Sequence, residues 1–194
     1  MATLAADTFD RADSGTVGGG WNEVVGAWSI VSNKVQMITH GAIPNVLRFD
    51  VALGASPAAD YDVEAIVRII GAGQEGELWV FGRYVDANNF YIALANTGNG
   101  NFQVWKRVAG SYTQLGSYSA SITEDADYTV RLSMVGTAIK GYLDSVERIS
   151  VTDGDVTGTG RAALGGFPNS QANGGLAFND FAVYGTAAPL ANKQ

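Results

Sequence analysis

The chain lacks the side chains on which several common kinds of site depend. It has no cysteine and a single histidine, His40, among its 194 residues. The absence of cysteine excludes disulfides and thiolate metal sites. Any Ser-His-Asp triad would have to use His40, which we interpret as a solvated loop residue next to Gly41 at the end of a strand.

Charged residues are also scarce, and the negative ones predominate. Asp, Glu, Lys and Arg make up 16% of the chain, and the formal net charge is −7. Nucleic acids and anionic membrane surfaces attract clustered Lys and Arg, so neither is an expected partner. No stretch is long and apolar enough to span a membrane. The N-terminal residues MATLAADTFDRAD contain no basic region followed by an apolar run, so we expect no signal peptide.

What the chain does contain is apolar residues, at 46%, and 25 glycines. No long stretch shows the apolar spacing of a helix. About a dozen short apolar segments separated by turn residues predict an all-β chain that forms a two-sheet sandwich. The length fits one domain, which we predict at residues 1–185, followed by a flexible tail at 186–194.

The most apolar part of the chain, residues 77–108, predicts three strands in the middle of a sheet. Clusters of Asp, Asn and Gly separate Leu78–Tyr84, Phe90–Leu94 and Phe102–Val108. An apolar meander of this kind would promote aggregation at a sheet edge, so we expect it inside a sheet. The residues of this segment expected to build the core are Trp79, Phe81, Tyr84, Phe90 and Ile92.

Local contacts are predicted in two other places. Residues 21–34 read as a hairpin that turns near Gly26. Arg83 lies within an apolar strand, and because a buried Arg is normally paired, we expect it to form a salt bridge with Glu64 or Asp86.

The segment GELWVFGRYVDANNFYIALANTGNGNFQVWKRVAG resembles the core of the concanavalin A-like lectin/glucanase superfamily, in its laminin-G-like branch. DTFDRADSGTVGGGW, YTVRLSMVGTAIKGYLDSVERISVTD and FNDFAVY resemble other parts of such modules in the same order, so the resemblance covers nearly the whole chain. It implies an antiparallel jelly-roll β-sandwich.

The opening DTFDRADSGTVGGGW also resembles modules of tailed-bacteriophage virion proteins, especially minor tail and fibre proteins. This resemblance implies a location in the virion, which is extracellular after host lysis and needs no signal peptide. It further implies virion proteins as partners and a homo-oligomer in the particle.

The glucanase branch of the superfamily uses clustered carboxylates on one strand, because glycoside hydrolysis needs a pair of them. This chain offers only Glu75 and Glu77, separated by Gly76 and without the third acid of the motif. We therefore predict no catalytic residues and no enzymatic activity.

Many members of the superfamily hold a structural Ca²⁺, which takes six to eight oxygen ligands. The resemblance places the first and last strands side by side, which predicts a site at Asp10 and Asp180. Asp153 and Asp155 form a second candidate loop. The alternative is that these carboxylates serve turns, as Asp often does.

The best candidate for glycan binding is the third strand of the central segment. Gln103, Trp105 and Arg107 share one face of it, and Tyr112 follows nearby. Aromatic faces and a few polar groups are the usual components of a shallow sugar site. The alternative is that Trp105 packs in the core or under a neighbouring subunit.

These observations predict a non-catalytic, tail- or fibre-associated virion protein that binds host-surface carbohydrate or mediates adhesion. One alternative is a purely structural virion module that acts through protein contacts, as in capsid decoration or tail assembly. A carbohydrate-active enzyme is the third reading.

Overall fold

The computed structural model describes residues 1–39, 44–50, 59–168 and 175–186, and in these ranges the chain forms fifteen β-strands and no helix. The strands are β1 (Ala2–Asp7), β2 (Trp21–Val25), β3 (Ala27–Val31), β4 (Lys34–Thr39), β5 (Asn45–Phe49), β6 (Tyr61–Ile69), β7 (Gly76–Asp86), β8 (Asn89–Asn96), β9 (Asn101–Val108), β10 (Ser111–Ser119), β11 (Tyr128–Val135), β12 (Ala138–Leu143), β13 (Val146–Thr152), β14 (Arg161–Pro168) and β15 (Leu176–Gly185). The all-β prediction is confirmed.

The strands form two antiparallel sheets. The first has eight strands in the order β13-β12-β11-β6-β15-β4-β3, with β1 also paired to β15. The second has seven, in the order β10-β9-β8-β7-β14-β5-β2. This arrangement confirms the predicted two-sheet jelly-roll sandwich.

One hydrophobic core lies between the sheets, and alternation along the strands builds it. On β6 every second residue from Tyr61 to Ile69 is at most 1% exposed, because successive side chains of a strand point to opposite faces. On β7 the inner side chains are Leu78 and Val80. Gly82 follows on the same face, where a Cβ would come within 2.4 Å of the Met134 sulfur, so a side chain there would have to displace the end of the Met134 side chain.

The predicted hairpin over residues 21–34 is wrong. β2 pairs with β5 in the seven-stranded sheet, whereas β3 pairs with β4 in the eight-stranded sheet. The chain crosses between the sheets at Gly26, whose φ of +85° favours glycine. The hairpin of this region is instead β3–β4, turning at Ser32 and Asn33, which both have positive φ.

The central segment lies inside the seven-stranded sheet as predicted, and the five residues expected to build the core are buried, at most 6% exposed. Trp79, Phe81, Tyr84, Phe90 and Ile92 nevertheless form a second hydrophobic cluster, separate from the one between the sheets. The reason is again alternation: Leu78, Val80, Tyr91 and Ala93 take the inner positions, and their neighbours point to the outer face.

The predicted partners of Arg83 are also wrong. Its guanidinium donates to the carbonyl oxygens of Ala59, Gly136 and Val156 at 2.8 to 3.0 Å, and lies 3.5 Å from the Asp60 carboxylate. Arg83 has a φ of +46° at an irregularity in β7, which turns its side chain toward one end of the sandwich.

The two predicted partners serve other contacts. Asp86 accepts hydrogen bonds from Asn88 and Asn89 in the turn after β7. Glu64 belongs to the eight-stranded sheet, where it lies opposite Arg131 and accepts a hydrogen bond from Tyr184.

Three predictions remain untested. His40 and most of the predicted tail at 186–194 lie outside the described residues, and the domain boundary at 185 adjoins that unassigned part. In the described ranges the chain has no helix that is long and apolar enough to cross a membrane.

Candidate functional site

The outer face of the seven-stranded sheet carries a second apolar cluster, which we call the aromatic face. Its buried members are Val46, Trp79, Phe81, Tyr84, Phe90, Ile92, Leu94 and Ala163, and Trp105 and Phe167 pack against them. The rings are in direct contact: Phe81 meets Phe90 edge to face at 5.1 Å, and Tyr84 stacks on Phe90 at 5.6 Å.

Strand register lines these residues up across the sheet. Phe81 on β7 lies opposite Ile92 on β8, and Ile92 lies opposite Trp105 on β9. A second row runs from Trp79 through Leu94 to Gln103. The aromatic face is therefore continuous over neighbouring strands, because directly opposed side chains lie within contact distance.

A pocket of about 390 Å³ opens on the aromatic face. Trp79, Ile92 and Leu94, all at most 6% exposed, form its buried floor. Glu77, Trp105, Tyr112 and Phe167 complete the lining. Tyr112 is 41% exposed, and its ring leans over the face to within 6.1 Å of the rings of both Trp79 and Phe90.

The structure brings the predicted ligand-binding residues to this pocket in two pairs. The Trp105 indole N–H donates to Gln103 Oε1 at 2.7 Å, which fixes the orientation of the ring. The Arg107 guanidinium lies 4.7 Å from the centre of the Tyr112 ring and donates to the carbonyl oxygens of Ala87 and Gly110. Trp105 and Tyr112 line the pocket, while Gln103 and Arg107 support them.

Trp105 does not lie in the core between the sheets, which was the alternative for this residue. It is half-buried on the outer face and packs against the second cluster. Its predicted role in binding, like that of the other three residues, stays a prediction.

Sequence reasoning missed Glu77 as a residue of the pocket. Glu77 shares the outer face of β7 with Trp79, and its carboxylate accepts hydrogen bonds from the Trp79 indole at 2.9 Å and the Asn96 amide at 3.0 Å. Burial raises the pKa of Glu77, although both hydrogen bonds act in the opposite direction. The sequence did contain one signal for Glu77: it lies two residues before Trp79, and residues two apart on a strand point to the same face.

The pocket does not present the carboxylate pair that glycoside hydrolysis requires. Among the described residues, Glu77 is the one acid that lines it. The neighbouring acid in sequence, Glu75, lies in an exposed position before β7 begins. The arrangement can stack rings and accept hydrogen bonds, which suits binding.

The second candidate calcium loop does not fit a metal ion. The Lys106 ammonium forms ion pairs with both Asp153 and Asp155, so a cation already neutralises these carboxylates. Asp153 also accepts a hydrogen bond from the buried Tyr91 hydroxyl. Burial disfavours the charged form of Asp153, but the hydrogen bonds from Lys106 and Tyr91 outweigh it and lower the pKa.

The first candidate calcium site stays a prediction. β1 and β15 are neighbours as expected, with Asp7 opposite Phe181. Asp10 and Asp180 are both exposed, and within the ranges that the structure covers no group of three or more acids or histidines could hold an ion. Asp7 is held by Arg11 and the Trp21 indole.

Comparison with known proteins relates the chain to others by structure. No family model matches it, and no curated protein matches its sequence. It is similar to the carbohydrate binding module CBM66 from Bacillus subtilis, with a TM-score of 0.70 and 21% identity over 85% of this chain and 95% of that module. It is also similar to the exoplasmic/lumenal domain of VIP36 in its Ca²⁺/Man3GlcNAc-bound form, with a TM-score of 0.57 and 13% identity over 89% of this chain and 86% of that domain.

A third similar structure is that of a longer protein. The GH43 protein BlXynB from Bacillus licheniformis matches with a TM-score of 0.64 and 15% identity over 93% of this chain, which spans only 39% of BlXynB. Identities this low show the fold alone. The protein therefore has the lectin-like sandwich that occurs in carbohydrate-binding modules and in modules of GH43 proteins.

Proposed function

We propose that the protein is a non-catalytic carbohydrate-binding module that binds glycans on its aromatic face. The observation that carries this proposal is the pocket of about 390 Å³, whose lining includes Trp79, Trp105, Tyr112 and Phe167. The similarity of the fold to CBM66 and to the VIP36 domain supports it.

The chemistry of the pocket suits a sugar ring. Aromatic faces stack against the C–H groups of sugars, and a small number of fixed polar groups reads the hydroxyls. Glu77 supplies acceptor oxygens at one wall. The volume is near the lower end of the range for ligand pockets, which favours one or two sugar residues over a long bound chain.

A second part of the proposal is the location of the module. We propose that it is a component of a bacteriophage virion, tail- or fibre-associated, that binds host-surface glycan outside the cell. The support is the resemblance of DTFDRADSGTVGGGW to modules of such proteins. Virion proteins are then its partners, and several copies would assemble in the particle.

The alternative is a structural virion module whose aromatic face is covered by a neighbouring subunit. An apolar surface of this kind can serve a protein contact as well as a ligand. The same experiment separates the two functions, because a face that packs against a subunit has no reason to bind sugars.

The test is a glycan array followed by titration with the best ligand, using Trp105→Ala and a control. The control is Tyr142→Ala, which removes a half-buried aromatic side chain from the outer face of the other sheet. We expect Trp105→Ala to weaken binding by at least about tenfold, as for an aromatic residue central to an interface, and Tyr142→Ala to bind as wild type does. Equal binding by the two variants would overturn the site, and no binding by wild type would favour the structural module.

A further inference from the structure

Glu77 is a half-buried acid that has no cationic partner in the part of the chain that the structure describes. Its two oxygens accept hydrogen bonds from an indole and an amide, both neutral. Among the residues that the structure describes, no Lys or Arg forms an ion pair with it. A carboxylate offers about four acceptor positions, so about two remain for a ligand.

Three other acids with mostly buried side chains do have cations. Asp7 pairs with Arg11 at 2.7 Å, Asp153 pairs with Lys106, and Asp62 lies 3.8 Å from Arg131. This is the usual situation, because a charge removed from water is costly unless it is paired. Among the described residues Glu77 has no such partner, and it lies where the aromatic face forms a pocket.

The aromatic side chains around Glu77 also favour a positively charged ligand. Trp79, Trp105, Tyr112 and Phe167 surround the pocket, and the faces of aromatic rings attract cations, most strongly when water is excluded. Arg107 lies behind Tyr112 and gives its N–H groups to two backbone carbonyls. Its guanidinium is therefore not the partner of Glu77.

We propose that the pocket binds a sugar residue that carries an ammonium group, that is, an amino sugar with a free amine. The inference rests on the proposed function and specifies its ligand class. The ammonium group pairs with the Glu77 carboxylate and lies against the aromatic walls, while the sugar ring covers the rest of the pocket. A glycan bearing a carboxylate at this position is excluded by repulsion from Glu77.

The test compares ligands that differ only in charge, by titration calorimetry on the whole protein. The first pair consists of a glucosamine oligosaccharide and the N-acetylglucosamine oligosaccharide of the same length. Both are titrated at a pH below the pKa of the glucosamine amine, so that this amine is charged. We expect wild type to prefer the charged oligosaccharide by at least about tenfold. Glu77→Gln should lose this preference and bind both oligosaccharides alike, and Glu64→Gln on the other sheet should retain it.

A second pair distinguishes the sugar from other sources of the same cation. It consists of choline and its neutral analogue 3,3-dimethylbutan-1-ol. Because choline keeps its charge at every pH, its binding should weaken as Glu77 protonates, and since burial raises the pKa of Glu77 this loss begins at a higher pH than for an exposed Glu. The other titratable group that lines the pocket is Tyr112, whose pKa is raised by burial, and Arg107 is the cation that lies next to Tyr112. Phe167 and Asn96 are uncharged.

Two results would overturn the proposal in different ways. If the N-acetylated oligosaccharide binds as tightly as the glucosamine oligosaccharide, the charge preference is wrong while carbohydrate binding stands. If choline binds with the same dependence on Glu77 but no oligosaccharide binds, the sugar is wrong as the source of the cation, and the proposed function fails with it.

Discussion

The two sheets share one core through their inner faces, yet their outer faces differ in kind. On the seven-stranded sheet the outer face is aromatic, with Trp79 and Phe81 at the centre. On the eight-stranded sheet it is polar: Asp62, Glu64, Ser133 and Tyr142 occupy outward positions on β6, β11 and β12. We call this second surface the polar face.

The polar face shows the usual arrangement for an antiparallel sheet with one side in water. Arg131 lies 3.9 Å from the centre of the Tyr142 ring, and Lys140 forms an ion pair with Glu147 at 2.8 Å. These contacts hold polar side chains flat against the strands, and they need no further layer to cover them.

The aromatic face breaks that rule, because β7 and β8 are buried on both sides. All residues of β8 from Phe90 to Asn96 are buried, a pattern expected where a sheet is covered on both faces. No second layer of described strands covers this side, and the rings shield one another instead. Because monomeric proteins rarely expose large apolar patches, the difference between the faces fits the proposed contact of the aromatic face with a ligand or partner.

One substitution made on both faces would test this difference through the largest effect. Ile92 on the aromatic face is 1% exposed, whereas Ile66 is half-buried and points outward on β6 between Glu64 and Arg68. We expect Ile92→Lys to lower the free energy of unfolding by about 4 kcal/mol, since it buries a charge and removes packed atoms.

Ile66→Lys is the matched control for that substitution. It should change the free energy of unfolding by less than about 1 kcal/mol, because a Lys there can extend its ammonium into water. Denaturant unfolding of the two variants provides the measurement. Similar decreases in the free energy of unfolding at both positions would show that the two faces are equally buried, which would contradict the difference described between them.

A smaller effect is expected from removing the stacked arginine of each face. Arg107 supports Tyr112 at the pocket, and Arg131 stacks on Tyr142 at the polar face. We expect Arg107→Met to weaken glycan binding by about fivefold, because the Tyr112 ring loses the guanidinium that holds it in place at the pocket. The same substitution should lower the free energy of unfolding by about 1 kcal/mol or less.

Arg131→Met should leave glycan affinity unchanged, although it removes the cation nearest to Asp62 and so costs more stability than Arg107→Met. Calorimetric titration and denaturant unfolding measure the two quantities separately. If Arg131→Met weakens binding as much as Arg107→Met does, the binding surface is not confined to the aromatic face.

Much of the fold could be predicted from local patterns. The strict alternation from Tyr61 to Ile69 placed β6 against the core, and the Asn-rich turns separated β7, β8 and β9. The same alternation put Gln103, Trp105 and Arg107 on one face, as the structure has them. These features follow from the two-residue period of a strand.

Other features depend on contacts that a local pattern does not contain. In β7 and β8 both sets of alternate residues are apolar, so the sequence could not say which set points inward, and it did not separate the cluster that contains Trp79 from the core between the sheets. The crossing at Gly26 looks like a turn, because a positive φ serves a hairpin and a change of sheet equally well. Glu77 lies in a pocket only because β14, β9 and β10 bring Phe167, Trp105 and Tyr112 around it.

The four tryptophans provide the most direct test that the aromatic face is the binding face, because each indole N–H has a different partner. Trp79 and Trp105 donate to Glu77 and Gln103 at the pocket, while Trp21 donates to Asp7 and Trp28 to the Val25 carbonyl, away from it. A two-dimensional ¹H–¹⁵N spectrum recorded during titration with the bound glycan resolves the four indole signals. The account predicts that the signals of Trp79 and Trp105 shift while those of Trp21 and Trp28 do not, and shifts confined to Trp21 or Trp28 would contradict it.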